Sequence, residues 1–481
     1  MNSETEMDLA DVIRGLNQVE EDHCLFTDPI RDSPIWEYVR GRVWLDAREA
    51  LVSDIQPELG EEVSGISFRQ KLRWLIQGSI DPRLSPLTLR PDTVFVGFGR
   101  RQSSYDDMMW DIILDPIVAG FRDTESWGYF EPPLNSSGGN HHPDTKTPDD
   151  RFRILDSVSY SPRVAKRIPG FPTKLSEDEK SRLTDIEKGI SAELGFDVEL
   201  KEEMAHRLNI RKAQYPLYKH LLSWWDPDRV VFTNPSGLLP MVEACSSLNI
   251  PTIEVQHGTL NRYQPASSFP PSVSPRIVPD HLLAWGEGWV NQDDLPSNVQ
   301  LHCVGYPYSD REVDSILSDE SYCKENEQIL ILSQFFVGET LASYAITISE
   351  ELDGIEVIFK PHPAVERRWN ELYPELERSS VRVETSQTTD LYELLAASNA
   401  QVGVSSTALF EGTRFGLQTF IVDKFTSCYC DSLVERGIAD RVSKPEEVID
   451  RYDGQDRDFD TDLFFKPSSV DNIINVIKSI G

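Results

Sequence analysis

From residue 229 onward the chain alternates short apolar runs with segments of helical periodicity, and this alternation limits the possible folds more than any other feature. The first series contains "RVVFTNP", "GLLPMVEACSSLN" and "PTIEVQHG". A second series opens with "QILILSQ" and continues through "IEVIFKPHP", "DLYELLAAS" and "QVGVS" to "QTFIVD". Strands that alternate with helices form parallel sheets, because each return to the same edge needs a crossover connection. The sequence therefore predicts an α/β protein with two parallel sheets.

The length of the chain agrees with two separate sheets. At 481 residues the protein is too long for one ordinary hydrophobic core. The segment "YPYSDREVDS" between the two series is typical of a linker, and residues 1–90 are polar with helical periodicity. We therefore predict a helical N-terminal extension at 1–90, a first domain at 91–308 and a second domain at 309–481.

The charge of the chain restricts its partners. The sequence has 80 acidic residues against 47 lysines and arginines, which gives a formal net charge of −33. Most of such a surface repels a phosphate backbone, so nucleic-acid binding is disfavoured, and broad docking on an anionic membrane is disfavoured for the same reason. Acidic residues are spread along the chain and lysine is scarce. This pattern is typical of a protein that works at high salt, with an ordinary acidic cytosolic protein as the alternative.

Several features favour the cytoplasm and argue against a metal. The N-terminal "MNSETEMDLADVIRG" lacks the basic and apolar regions of a signal peptide, and no apolar run approaches the ~18 residues of a membrane span. The six cysteines have no Cys-x-x-Cys spacing, which favours a reducing compartment. His141 and His142 stand in a Pro/Gly-rich stretch that is more typical of a solvated loop than of a metal site. No Asp-x-Asp motif stands at the end of a suitable strand to hold Mg²⁺, so we expect no essential metal.

A histidine between two prolines closes one strand of the second series. The run "IEVIF" leads into Lys360, Pro361, His362 and Pro363, and Pro363 disfavours a helical conformation at His362. Open α/β sheets bind their ligands at the carboxyl ends of the strands. Lys360 and His362 are therefore candidate phosphate-binding residues, and an exposed turn without a ligand is the alternative.

Hydroxyl groups follow another strand of the second series. The run "QVGV" ends in Ser405, Ser406 and Thr407, directly before a predicted helix that contains Glu411. The free N–H groups and the dipole at the start of a helix attract phosphate, to which the hydroxyls add donors. A carboxylate one turn into the helix can accept bonds from both hydroxyls of a ribose. The alternative is a capped helix with no ligand.

In the first series, the strand "PTIEV" ends in Gln256, His257 and Gly258. We expect Gly258 to allow a tight exit and His257 to face a ligand bound to the second domain; a structural histidine is the alternative. Arg100 and Arg101 in "GFGRRQ" form a basic pair after an earlier strand, which makes them candidate anion contacts, with a plain surface ion pair as the alternative. This stretch lacks the third glycine of a dinucleotide-binding fingerprint, so the match to that motif is weak.

The pairing of "VQHGTL" with "KPHP" and "GVSSTALFEGTRFGLQTFIVD" resembles the GT-B glycosyltransferase fold, in which two Rossmann-like domains face each other across a cleft. Over about 230–430 the chain is similar to capsule-polysaccharide and bacterial sialyltransferase-like enzymes and to the CDP-glycerol glycerophosphotransferases of wall teichoic acid. The resemblance implies that Lys360, His362 and the run 405–407 hold the phosphate of a CMP or CDP donor. It also implies that Glu411 binds the ribose and that His257 acts as a base.

On this basis we expect a metal-independent glycosyltransferase that moves a sugar, or a polyol phosphate, from a nucleotide-activated donor to a surface polysaccharide or glycan. The expected partners are the nucleotide sugar and a glycan or lipid-linked acceptor, with no further cofactor and at most peripheral association with the inner face of the cell membrane. Two alternatives stay open. One is a non-hydrolysing UDP-sugar 2-epimerase of the same fold, and the other is a catalytically silent partner that binds a glycan or nucleotide.

Overall fold

A computed structural model describes residues 8–28, 30–31, 33–52, 72–73, 76, 79–98, 101–103, 109–121, 126–133, 150–319, 324 and 327–481. Two of the residue pairs singled out in the sequence are affected by the gaps. Arg100 and the His141–His142 pair lie outside the described residues, and only the backbone of Arg101 is described.

The described residues form strands and helices in alternation. The strands are β1 (Thr93–Val96), β2 (Arg101–Ser103), β3 (Met109–Asp111), β4 (Trp127–Glu131), β5 (Phe152–Ile154), β6 (Arg229–Phe232), β7 (Thr252–Val255), β8 (His281–Ala284), β9 (Gln300–Cys303), β10 (Gln328–Leu332), β11 (Glu356–Lys360), β12 (Arg382–Val383), β13 (Ala400–Gly403), β14 (Gln418–Val422) and β15 (Ala439–Val442). The α-helices are α1 (Leu9–Asp22), α2 (Ile35–Val52), α3 (Leu114–Phe121), α4 (Asp156–Ser159), α5 (Ser161–Ala165), α6 (Glu177–Leu194), α7 (Leu200–Trp225), α8 (Leu239–Leu248), α9 (Pro307–Leu317), α10 (Gly338–Glu351), α11 (Trp369–Leu372), α12 (Leu391–Ala397), α13 (Ala408–Glu411), α14 (Asp431–Glu435), α15 (Pro445–Arg451) and α16 (Ser469–Ser479). Short 3-10 helices occur at Pro86–Thr88, Pro235–Leu238, Gln292–Asp294, Glu366–Arg368, Leu376–Arg378, Gly412–Phe415, Ser427–Cys430 and Thr461–Leu463.

The first sheet contains seven parallel strands in the order β5-β4-β1-β6-β7-β8-β9. Its central strands β1 ("TVFV") and β6 ("RVVF") are buried along their whole length. Continuous apolar runs of this kind are expected where helices cover both faces of a parallel sheet. Strands β2 and β3 form a separate antiparallel hairpin between β1 and α3.

The second sheet contains six parallel strands in the order β12-β11-β10-β13-β14-β15. Counted along its own segment this is the 3-2-1-4-5-6 order of a Rossmann domain. The first sheet, once the hairpin is left out, has this order with a seventh strand, β9, added at the edge next to β8. The strand order reverses between β10 and β13, and ligands of such sheets bind at this switch point. The predicted α/β fold with two Rossmann-like domains is confirmed.

The N-terminal helices form a layer of the first domain, whereas we predicted a helical extension at residues 1–90. Helix α1 begins with a capping box between Asp8 and Asp11, and its apolar face packs on α6. Helix α2 packs on α7. The buried residues of both helices belong to the same core as Val94 and Phe130 of the first sheet. Burial of this apolar face is what fixes the two helices on the domain.

The C-terminal end returns to the first domain, although the predicted boundary placed all of 309–481 in the second. Helix α16 packs on α3, and the N–H of Lys466 donates to the carbonyl oxygen of Trp285 over 2.9 Å. The domains also share an apolar contact in which the rings of Trp289 and Phe410 stack at 4.1 Å. None of the described helices combines the length and hydropathy that crossing a bilayer requires.

The order of elements after β1 differs from that of a dinucleotide-binding fingerprint. In a Rossmann fingerprint the glycine-rich turn leads from a strand into a helix, but here β1 is followed by the hairpin strand β2. Gly97 is required for close packing, because a Cβ atom there would lie 1.9 Å from the hydroxyl oxygen of Tyr129.

Candidate functional site

Two adjacent cavities, which we call the interdomain cleft, lie at the carboxyl ends of the sheets. The large cavity, of about 640 Å³, lies mainly against the first domain and includes the residues that follow β7. The small cavity, of about 200 Å³, includes residues that follow β10, β13 and β14, namely Gln334, Ser405 and Thr426. Both cavities are lined by Arg48, Thr259 and Tyr429. The two cavities therefore meet between the domains, next to the switch point of the second sheet.

His257 lies on the wall of the large cavity beside a carboxyl group. Strand β7 carries Glu254, and the Nδ1 atom of His257 lies 3.9 Å from its Oε1 atom. This distance is within ion-pair range but too long for a direct hydrogen bond. The side chain of Glu254 is only 18% exposed, and burial raises its pKa to about 8. A histidine backed by a carboxyl group is the arrangement expected of a general base.

Gln256 fixes the turn that carries His257. Its Nε2 atom donates to the carbonyl oxygen of Gly258 over 2.9 Å, and its Oε1 atom accepts from the N–H of Trp285 over 2.8 Å. Because Trp285 follows β8, these two bonds tie the turn to the neighbouring strand. Gln256 is itself buried, so both bonds are shielded from water.

The role of Gly258 lies in the open space beside it, since its backbone conformation does not require a glycine. We expected a tight exit from the strand, but Gly258 is absent from the glycines with positive φ. A Cβ atom built at Gly258 meets no other atom within 4 Å, and the residue lines the large cavity. A glycine at this position therefore keeps the space beside His257 open.

Ser405 is bonded across the switch point of the second sheet. Its N–H donates to Oε1 of Gln334 over 2.9 Å, and its Oγ accepts from Nε2 of Gln334 over 3.0 Å. Ser405 Oγ also donates to Oγ1 of Thr426 over 2.9 Å. The segments after β10, β13 and β14 are thus joined by side-chain hydrogen bonds on the wall of the small cavity.

Lys360 and His362 lie at the end of β11, as predicted, but neither lines the two cavities of the cleft. The Nζ atom of Lys360 donates to the carbonyl oxygen of Thr389 over 3.0 Å, and burial lowers the pKa of this lysine. The Nδ1 atom of His362 accepts from the N–H of Ala364 over 3.1 Å, which makes the turn compact. A phosphate contact for these residues stays a prediction.

The remaining residues of the serine motif are directed elsewhere. The Oγ atom of Ser406 accepts from the N–H of Ala408 over 3.3 Å, and Thr407 precedes α13 without a side-chain cap bond. Glu411 is buried close to Tyr392. Burial raises the pKa of Tyr392, and the charge of Glu411 raises it further. None of these residues lines the cleft cavities, and their phosphate and ribose contacts stay predictions.

The cleft contains residues that the sequence reading did not identify. Glu254 had a detectable signal, because a charged residue inside a buried parallel strand is uncommon. Gln334, Arg48 and Tyr429 had no comparable signal, since each reaches the cleft only through the packing of distant segments. Among the residues that the structure describes, no group of three or more His, Cys, Asp or Glu side chains is placed to hold a metal ion.

The comparisons with known proteins find similarity only among solved structures. No family model matches the chain, and no curated protein matches it. The chain is similar to the UDP-GlcNAc 2-epimerase of Methanocaldococcus jannaschii in complex with UDP-GlcNAc and UDP, with 13% identity, a TM-score of 0.46, and coverage of 80% of this chain and 99% of the epimerase.

Two other solved structures are also similar to the chain. For MurG of Acinetobacter baumannii the identity is 10%, the TM-score is 0.47, and coverage is 81% of this chain and 100% of MurG. For the spinosyn rhamnosyltransferase SpnG with spinosyn aglycone the identity is 12%, the TM-score is 0.39, and coverage is 80% of this chain and 91% of SpnG. These identities and scores are low, so the function has to be argued from the cleft itself.

Proposed function

We propose that the protein is a glycosyltransferase that moves a sugar, or a polyol phosphate, from a nucleotide-activated donor to a hydroxyl group of an acceptor. The observation that carries the proposal is the position of His257 and Glu254. They lie on the first-domain wall of a cavity that adjoins the switch point of the second domain. Such an arrangement suits an acceptor on one side and a nucleotide on the other.

The chemistry needs a base near the acceptor. As the acceptor oxygen forms its bond to the donor carbon or phosphorus, its proton is lost, and the bond to the nucleotide phosphate breaks with its electron pair. His257 takes the proton, and an ionised Glu254 stabilises the imidazolium that results. Because the pKa of Glu254 is raised to about 8, this assistance increases as the pH rises through that value.

The finer identity of the substrates rests on the resemblance of residues 230–430 to capsule and CDP-glycerol enzymes. It supports a cytidine nucleotide as donor carrier and a surface polysaccharide as acceptor. In this proposal the leaving phosphate is stabilised by protein donors, and the reaction has no metal step.

The proposal is tested first by nucleotide binding and then by turnover. A thermal-shift panel of CMP, CDP, UDP and GDP identifies the nucleotide, because a ligand bound only by the folded protein raises its melting temperature. The matching nucleotide sugar is then incubated with and without glycan acceptors. Transfer that depends on the acceptor supports the proposal; a protein stabilised by none of the nucleotides contradicts it.

One observation favours an epimerase as a second candidate. Glu254 is a carboxyl group with a raised pKa on the cavity wall, and such a group can move a proton to or from a sugar carbon. Incubation of a nucleotide sugar alone separates the candidates. An epimerase converts the sugar without an acceptor, a transferase needs one, and a catalytically silent binding partner changes neither substrate.

A further inference from the structure

One guanidinium group in the interdomain cleft has neither a carboxylate nor a hydrogen-bond partner among the described residues. Four arginines line the large cavity. Three of them form ion pairs with carboxylates, namely Arg40 with Glu20, Arg42 with Asp46 and Arg207 with Glu203. The described part of the chain supplies no carboxylate to Arg48, and its buried Nε atom has no hydrogen-bond partner there. The chain has a net charge of −33, so acidic side chains are abundant. A cleft arginine that is paired with no carboxylate of the described residues therefore indicates a binding site for an anion from outside the protein.

Arg48 is held at the place where the two cavities meet. It lies in the C-terminal half of α2, and its Cζ atom is 5.3 Å from the ring centre of Trp44 and 5.1 Å from that of Phe336. Phe336 follows β10 of the second domain, so the guanidinium bridges from the N-terminal helical layer to the switch point. Two aromatic rings attract and orient the cation without neutralising its charge.

A second polar group at the same place also has no partner. Tyr429 lines both cavities, and its buried hydroxyl has no hydrogen-bond partner among the described residues. Burial raises the pKa of Tyr429, while the charge of Arg48 acts in the opposite direction. The hydroxyl therefore keeps its proton and remains a donor that an anionic oxygen would satisfy.

We propose that Arg48 and Tyr429 form a subsite for the phosphate or diphosphate group of the donor, with Thr259 on its edge. This inference rests on the proposed function and adds the N-terminal helical layer to the donor site. A guanidinium can bind two phosphate oxygens at once. When the acceptor displaces the nucleotide, the electron pair of the broken bond stays on the phosphate oxygen, and the positive charge of Arg48 stabilises it there.

The subsite is tested by isothermal titration calorimetry with CDP, UDP, cytidine, uridine and inorganic pyrophosphate. For Arg48→Gln we expect about a 10-fold to 100-fold loss of affinity for the diphosphates and pyrophosphate, because a charged hydrogen-bonded contact is removed, with no change for the nucleosides. Arg42→Gln is the matched control, since Arg42 lies on the same helix and the same cavity but is paired with Asp46. That control should stay within about twofold of the wild type.

A variant that leaves the charge in place separates binding from folding. Tyr429→Phe removes a hydroxyl that bonds to none of the described residues, so the melting temperature of the free protein should not fall, while affinity for the diphosphate falls several-fold. Unchanged diphosphate affinity in Arg48→Gln would overturn the inference, and so would a wild-type protein that binds neither the diphosphates nor pyrophosphate. If Arg48 is needed for binding pyrophosphate but no nucleotide binds, the anion subsite stands and the proposed nucleotide-dependent function fails.

Discussion

Glu254 is expected to make the protein less stable as the pH rises. Burial beside His257 raises the pKa of this carboxyl from 4.5 to about 8. The unfolded chain therefore releases the proton near the lower value, whereas the folded protein keeps it. The stabilising contribution of this proton is fully present below pH 4.5 and is lost as the pH rises to about 8.

The size of the effect follows from the same two values. Retention of the proton over the whole interval corresponds to roughly 5 kcal/mol, at about 1.36 kcal/mol for each pH unit. The actual loss of stability is smaller, because the Glu254 side chain is 18% exposed and an imidazole lies 3.9 Å away, and both stabilise the ionised carboxylate. The wild type loses stability between about pH 5.5 and pH 8.5, and Glu254→Gln, which does not titrate there, lacks this loss. The free energy of unfolding of the variant minus that of the wild type should therefore increase by roughly 2 kcal/mol over this interval.

The assay is urea denaturation followed by tryptophan fluorescence for wild type and variant at both pH values. Glutamine keeps the size and polarity of the side chain and removes only its titration. The control is Glu177→Gln, because the Glu177 side chain is 89% exposed and its replacement should give the same small difference at both pH values. If Glu254→Gln also differs from wild type by a constant amount, the carboxyl is not buried as the structure places it.

Three further predictions concern the cleft and its ligands. Gly258→Ala should leave the melting temperature unchanged, because a methyl group there meets no atom within 4 Å. It should raise KM for the acceptor in steady-state kinetics, and an unchanged KM contradicts an acceptor beside His257. Transfer should survive EDTA, and loss that Mg²⁺ or Mn²⁺ restores would reveal a missed ligand set. Glu411→Gln should reduce the thermal shift by CDP if this residue binds the ribose, and equal shifts would remove Glu411 from the site.

The sheets were predictable because their strands are buried on both faces. Runs such as "RVVF" of β6 and "QILIL" of β10 need no alternation of polar and apolar residues, and they stand out against the helices between them. The strand ends that carry His257 and Ser405 were found for the same reason, since polar residues follow directly where each run stops.

The direction of side chains beyond a strand end was not predictable. Lys360 and Ser405 both lie near the end of a strand, but the structure bonds Lys360 to the carbonyl oxygen of Thr389 and places Ser405 in the cleft. Arg48 illustrates the same limit more strongly. Its contacts with Phe336 and the cavities depend on how α2 packs on the first domain, and no local pattern around residue 48 distinguishes it from other arginines of the helix.

The central claim is that His257 is the base of a transfer reaction in the interdomain cleft, and His257→Ala tests it most directly. The variant and its control His220→Ala, which alters an exposed histidine on α7, are compared in nucleotide thermal shift and in transfer to the acceptor. Both variants should keep the nucleotide-induced shift, and only His257→Ala should lose transfer, by roughly 10²-fold or more. Transfer at nearly the wild-type rate in His257→Ala would contradict the account and make His257 a structural residue.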